Sequence, residues 1–230
     1  VTTRYELPDL KVYWETTAPQ KKLPRLSTTA GVELLRVLGV KGMDREYESL
    51  VEDVKGHALT LSLLGSYLRD AYGGDIRKRD LVSLQEADAE EQGGHAFRVM
   101  DAYVKWFQDE GQKGHRAIAV LRCLALFDRP DCFAALMKPP VILGMTKALV
   151  GISEVEKNVT LARLEAARLI SANRDAAKTV LSLDTHPLLR EYFANERRIR
   201  HPDAWRAAHQ RIFEYLCAST PDKPKPTLDD

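Results

Sequence analysis

The sequence contains few cysteines, and those present are far apart. Cys123, Cys132 and Cys217 match no metal-ligand spacing, and their odd number forms no disulfide framework. This usage is typical of a reducing compartment, so we expect a cytoplasmic protein. Cys123 and Cys217 lie within apolar segments of helical periodicity, which predicts that both thiols are buried in the core.

An excess of charge of one sign is also lacking. The 34 Lys and Arg residues nearly balance the 33 Asp and Glu residues, so the net charge is +1. Neither nucleic acid nor a membrane surface is therefore expected as a partner, and no apolar run approaches the roughly 20 residues of a transmembrane helix. With 44% apolar residues, the 230-residue chain is expected to form one large or two small domains.

Motifs for catalysis are missing as well. The sequence contains no nucleophile–histidine–acid arrangement, no H-E-x-x-H and no G-x-x-x-x-G-K-[ST] phosphate-binding loop. The two glycine-containing segments Gly39–Asp44 and Gly73–Arg77 do not match that loop. We therefore predict no catalytic residue and no metal ligand in this chain.

What the sequence has in abundance is helical periodicity, which predicts a mainly α fold. Its first part reads as a helical bundle joined by short loops. Ser27 is a suitable N-cap, and apolar residues then recur at the i, i+3, i+4, i+7 spacing. Prolines in residues 5–26 predict that no helix forms there. The predicted helices are Ser27–Leu38, Asp44–Val54, Ala58–Ala71 and residues 77–84.

The second part is predicted to be a winged-helix domain with a small β-hairpin wing. Acidic residues 85–94 end in a pair of glycines and indicate a linker and hinge before it. Ser153 and Glu156 form a capping box for a helix to about Arg168. The hairpin follows in residues 169–183, with a polar turn between its strands. A last helix, about Pro202–Ala218, is expected to bury Trp205, Ala208, Ile212, Phe213 and Leu216.

Three short segments suit contact with a nucleotide. Arg4 follows an apparent strand end, where a guanidinium can reach a terminal phosphate, although a surface arginine is the simpler interpretation. Gly56 precedes a helix and allows close backbone approach to a base or sugar, but it also fits an ordinary turn. His186 lies between a strand and a helix that begins with Pro187, near N–H groups that bind phosphate or carboxylate. Alone, it is equally a polar N-cap without a ligand.

In this order, the three segments resemble motifs of the STAND ATPases, the NB-ARC group of signal-transduction proteins. Val1-Thr2-Thr3-Arg4 resembles the sensor-arginine motif, and Gly56–Leu61 resembles the G-x-P-L-A-L motif at a helix start. Asp184–Leu189 resembles the histidine motif of the winged helix, in the H-P-L-[LI]-R form found in bacterial members. The resemblance covers about residues 1–218.

The resemblance implies a molecular switch that is controlled by ADP and ATP. The implied domains are the end of a P-loop α/β domain (1–26), a helical domain (27–90), a winged-helix domain (95–200) and a helix with a linker to a missing sensor region (201–230). Arg4 would sense the γ-phosphate, Gly56 and Ala58 would border the base, and His186 would touch the β-phosphate of ADP. ATP exchange would release the winged helix and expose surfaces for self-assembly.

The resemblance also implies partners outside this chain. Ala58 replaces the family proline, and the P-loop and Walker B acid lie upstream, so we expect this chain to be a piece of a longer protein. That parent protein would bind ATP with Mg²⁺ and hydrolyse it slowly, whereas the piece alone would hold no nucleotide tightly. Its expected partners are the upstream P-loop domain and downstream sensor repeats, for which tetratricopeptide or similar repeats are common in bacterial members.

Two other classes of function stay open. A winged-helix transcription regulator would use the helix Ser153–Arg168 to read DNA, but that helix carries Glu154, Glu156 and Glu165 beside its cations. A scaffold or adaptor would use the same helical units without any nucleotide. Binding of ADP discriminates the switch from both.

Overall fold

The protein is mainly helical with one small antiparallel sheet, as the sequence predicts. The computed structural model describes residues 7–19, 24–82, 84, 94–127, 136 and 140–219. The helices are α1 (Thr28–Val37), α2 (Asp44–Asp53), α3 (Ala58–Tyr72), α4 (Gly94–Asp109), α5 (Gln112–Leu124), α6 (Glu154–Ala166), α7 (Pro187–Arg200) and α8 (Pro202–Ser219), and the strands are β1 (Ser171–Arg174) and β2 (Val180–Asp184). None of the helices in these ranges is long and apolar enough to cross a membrane.

Some predictions fall outside the described residues. These are the strand end at Val1–Arg4, nearly all of the predicted hinge (85–93) and most of a short helical piece that the sequence also predicts from Pro130 to just before Pro139. Two short segments differ from the prediction. Residues 77–84 were expected to form a helix, and the structure has a 3-10 helix at Ile76–Leu81. A second 3-10 helix, Pro8–Tyr13, begins with a proline in its first turn, where the missing N–H costs nothing.

Helices α1 to α3 begin and end near their predicted bounds because the local capping signals are satisfied. The Ser27 hydroxyl accepts a hydrogen bond from the Ala30 N–H at 3.2 Å. Gly73, with φ of +61°, ends α3 in the left-handed conformation that favours glycine. Leu35, Leu50 and Leu64 are wholly buried where the three helices meet, so the apolar stripes form the predicted core.

Aromatic side chains join α3 to α4 across the predicted junction of the two units. The Tyr103 hydroxyl donates to the Leu63 carbonyl at 3.2 Å, and the ring centroids of Tyr67 and Tyr103 are 5.1 Å apart. Trp106 packs against Tyr67 at 6.0 Å. The Arg163 guanidinium of α6 covers Trp106 at 4.7 Å. Buried apolar residues therefore form one continuous core on both sides of the junction.

The predicted hairpin is present and is anchored at its base. Strand β1 pairs antiparallel with β2, with Ser171 opposite Asp184 and a bulge after Asn173. Leu183 is buried, whereas Leu181 is exposed on the other face, as the period-2 alternation of a strand requires. The Thr185 hydroxyl donates to the Leu169 carbonyl at 2.7 Å. The predicted capping box at the start of α6 is also present.

In the last helix, three residues that we predicted to be buried are exposed. Ala208 is buried, but Phe213 and Leu216 are 62% and 52% exposed. Cys217, which we expected in the core, is exposed, whereas Cys123 is buried, and burial raises the pKa of the Cys123 thiol to about 12. Helix α8 has 18 residues and packs along α7, which has 14.

A charged cluster ties α5 to α7 and to the segment that follows Pro140. The Glu196 carboxylate accepts from Nε and Nη2 of Arg122 at 3.1 and 2.8 Å, and from Nε of Arg197 at 2.6 Å. Arg197 is 1% exposed, and its Nη1 donates to the Gly144 carbonyl at 2.9 Å. Burial alone would raise the pKa of Glu196, but hydrogen bonds from Arg197 and Arg122 outweigh it and lower that pKa.

Replacing Glu196 with glutamine should destabilise the fold by about 3 kcal/mol, because it leaves two guanidinium cations without a counter-ion. Glu33→Gln, at an exposed position of α1, should change stability by less than about 0.5 kcal/mol. Urea unfolding followed by circular dichroism measures both variants. Equal stabilities would contradict the role given to Glu196.

Candidate functional site

The predicted nucleotide motifs lie at the starts of two helices. Gly56 and Ala58 form the turn into α3, and His186 is the N-cap of α7. Arg4 lies outside the described residues. Both helix starts present backbone N–H groups and the positive end of the helix dipole.

Gly56 has a structural explanation that requires no ligand. Its φ is +64°, and a Cβ atom built on it would lie 2.3 Å from the Leu26 carbonyl oxygen. The Leu26 N–H donates to the Gly56 carbonyl at 3.0 Å. The close approach of the two backbones therefore requires glycine at this position. The sequence indicated a close backbone contact here, but the contact that the structure shows is with Leu26.

Ala58 and His57 are placed as the first helical residue and the N-cap of α3. The Thr60 N–H donates to Nδ1 of His57 at 3.2 Å. Because Nδ1 accepts, the neutral ring carries its proton on Nε2. Ala58 occupies the first position of the helix and is exposed, which is a position that tolerates proline. The structure thus accommodates the family proline at residue 58 without requiring it.

The surroundings of His57 contain a group of cations that the sequence did not reveal. We call His57, His95, Arg25 and Lys55 the α3–α4 cation cluster. The Arg25 guanidinium donates to the Lys55 carbonyl at 3.4 Å, and His95 lies in the first turn of α4. Asp53 is the carboxylate that offsets part of this charge at His95.

The charges of this cluster disfavour protonation of its two histidines. Burial, followed by the charges of Arg25 and His95, lowers the pKa of His57. Burial, followed by the charges of Lys55 and Arg25, lowers the pKa of His95. His57 and His95 are far apart in sequence and meet because α3 packs against α4. No local pattern in the sequence could have indicated that meeting.

The His186 side chain caps the start of α7. Its Nδ1 accepts from the Leu188 N–H at 3.2 Å, so the neutral ring carries its proton on Nε2. The preceding Asp184 accepts from the Thr185 N–H at 2.7 Å and is paired with Arg190. The imidazole is exposed. The predicted strand-to-helix joint is therefore present, with His186 as its N-cap.

Gly56 and Ala58 flank His57, a member of the cation cluster, whereas His186 lies at the start of a different helix. The charged groups that shift the pKa of His57 and of His95 do not include His186. Helix α4 packs against both α3 and α7. On the α7 side, the Tyr192 hydroxyl donates to Asp101 at 2.7 Å. Helix α4 is thus the element that sets the position of one motif relative to the other.

The surface of α6 does not favour DNA binding. Arg163 is paired with Glu110 at 2.5 Å, and Lys157 with Glu154 at 3.4 Å. The largest exposed apolar side chains of this helix are Val155 and Val159. Phosphate contacts need unpaired cations on the exposed face, and the face of α6 is instead apolar and acidic.

Comparisons with known proteins add no relative. No protein-family model matches the chain, and no curated protein matches it either. The part of the chain that the structure describes contains no group of three or more His, Cys, Asp or Glu side chains able to hold a metal ion. The candidate site therefore depends on the geometry of α3, α4 and α7.

Gly56→Ala should destabilise the fold by about 3 kcal/mol, because a methyl group there combines left-handed strain with a collision against Leu26. Gly73→Ala is the matched control, since its φ is +61° but no atom lies within 4 Å of the added Cβ. The control should cost about 1 kcal/mol, from strain alone. If urea unfolding gives the same loss of stability for both variants, the close contact with Leu26 is not the reason for glycine at residue 56.

Stability should fall as the pH drops below 6.5, the usual pKa of histidine, because His57 and His95 have lower pKa values in the fold. The unfolded chain then binds more protons than the folded one, which favours unfolding. Lys55→Gln should raise the pKa of His95 and make this dependence shallower. Lys113→Gln, at an exposed position of α5, should leave the pKa of His95 unchanged in an NMR titration.

Proposed function

We propose that this chain is the regulatory part of a nucleotide-dependent switch of the STAND type. The observation that carries the proposal is that both described motifs lie at helix N-termini, with Gly56 and Ala58 at the start of α3 and His186 as the N-cap of α7. A helix N-terminus with a histidine N-cap, as at the start of α7, suits a phosphate of ADP or ATP. In this proposal α6, the β1–β2 hairpin and α7 form the winged helix, with the hairpin as its wing.

The proposed switch works by preferential binding of ADP to the closed arrangement. His186 would donate a hydrogen bond from Nε2–H to the β-phosphate. The backbone N–H groups at the start of α7 would further stabilise the negative charge of this phosphate. Arg4 would sense the γ-phosphate of ATP, and Gly56 and Ala58 would border the base. Because ADP binds the closed arrangement better, it shifts the population toward that arrangement.

The packing of α3 on α4 supports a closed state with a definite energetic cost of opening. Opening between the two units would separate the Tyr67 ring from Tyr103 and Trp106, which are 5.1 and 6.0 Å away. It would also break the hydrogen bond from Arg69 to the Ala166 carbonyl at 2.8 Å. Exchange of ADP for ATP with Mg²⁺ on an upstream P-loop domain would supply the compensating energy. Downstream sensor repeats and self-assembly would complete the signalling cycle.

The test uses a longer polypeptide that includes the upstream P-loop domain. Isothermal calorimetry should detect ADP binding to the longer polypeptide, and stopped-flow release of a fluorescent ADP gives the off-rate. His186→Ala should raise the off-rate about tenfold, because it removes a hydrogen bond to a charged phosphate. His201→Ala, at the opposite end of α7, should leave the off-rate unchanged.

Two results would overturn the proposal. An ADP off-rate that is the same in His186→Ala and the unmodified protein removes His186 from the site. The absence of any ADP binding to the longer polypeptide favours the nucleotide-independent scaffold. A salt-dependent mobility shift of duplex DNA on a gel would instead support the transcription-regulator alternative.

A further inference from the structure

A groove of about 500 Å³ lies between the end of α4, the length of α5 and the segment 144–148. It is lined by Gln108, Gln112, His115, Ile118, Ala119, Arg122, Gly144, Met145, Lys147 and Ala148. Its volume falls within the range of small-molecule sites in proteins. The groove is distinct from the α3–α4 cation cluster and from His186, and nothing in the proposed switch uses it.

The lining combines an apolar floor with a polar rim. Ile118, Ala119 and Met145 are at most 4% exposed and form the floor. The rim carries the exposed side chains of Gln112, His115 and Lys147. The lining includes an arginine, a lysine and a histidine but no aspartate or glutamate. Such a surface is complementary to an anion that has an apolar body.

Arg122 is the group that makes the groove more than a basic surface. Its guanidinium is held on one side by the two hydrogen bonds to Glu196, and its Nη1 lies 3.5 Å from the Gly144 carbonyl. An arginine side chain has five N–H donors, and two of them bind no other residue in the described part of the chain, on a guanidinium that lines the groove. The orientation of the fork is therefore fixed before any ligand arrives.

The charges around Arg122 also favour an anion in the groove. Glu196 is the carboxylate partner of both Arg122 and Arg197. Within the described ranges, one carboxylate therefore serves two largely buried guanidinium cations, which leaves one positive charge without a carboxylate partner. Burial, with the charge of Arg197 acting in the same direction, lowers the pKa of Arg122. An anion in the groove would supply the missing negative charge at short range, where it stabilises most.

We propose that this groove binds a small organic anion, whose carboxylate or phosphate pairs with Arg122 and Lys147 while its apolar body covers Ile118 and Met145. Arg122 supplies two oriented donors, and Lys147 adds a mobile charge at the rim. The amides of Gln108 and Gln112 provide further donors for the head group.

The probes for the test are hexanoate and hexyl phosphate, with 1-hexanol and hexylammonium as uncharged and cationic controls. Titrations are followed by NMR through the side-chain amide signals of Gln108 and Gln112, with Gln210 of α8 as the reference. We expect saturable shifts at Gln108 and Gln112 with an apparent Kd of about 1 mM for at least one anion. The two anions distinguish a carboxylate from a phosphate preference.

Lys147→Glu should weaken binding of the preferred anion about fivefold, since it replaces an attractive rim charge by a repulsive one. Lys113→Glu is the matched control, an exposed lysine of α5 that does not line the groove, and it should leave the Kd unchanged. Equal weakening by both variants, equal binding of 1-hexanol, or shifts at Gln210 as large as those at Gln108 would each overturn the proposal. So would the absence of saturable binding by both anions.

Discussion

The buried ring of Tyr103 connects the two halves of the molecule, and much of the remaining structure depends on it. Its hydroxyl donates a hydrogen bond to the Leu63 carbonyl, and its ring packs against Tyr67 of α3 and Phe107 of α4. Burial raises its pKa well above the usual value, so it stays a neutral donor. This contact holds α4 on α3. Through the same helix it also sets the position of α7, which meets α4 at Asp101.

Two surfaces of the fold carry more positive than negative charge at close range. In the α3–α4 cation cluster, two histidines near Arg25 and Lys55 remain largely neutral because burial and neighbouring cations oppose protonation. Behind the groove, Arg122 and Arg197 share Glu196. The first group adjusts its charge with pH, whereas guanidinium groups do not titrate in the physiological range. Both arrangements leave positive charge that is only partly offset by nearby carboxylates.

Part of the candidate site could be predicted from local sequence, and part could not. The N-cap positions of His57 and His186 follow from residues within three positions of each, so local reasoning finds helix starts there. The meeting of His57 with His95 depends on packing between α3 and α4. The same limit applies to the exposed Phe213 and Leu216 on α8, because helical periodicity shows which face is apolar but not which neighbouring element covers it.

The sequence by itself determined the mainly helical fold, the caps at Ser27 and Ser153, and the hairpin that precedes α7. These features depend on hydrogen bonds and side-chain alternation between neighbouring residues, which the order of amino acids specifies directly. Only the tertiary structure decided that Gly56 serves a contact with Leu26, that cations gather at the starts of α3 and α4, and that Glu196 is shared by two arginines. Each of these depends on groups far apart in the chain, whose meeting is set by helix packing.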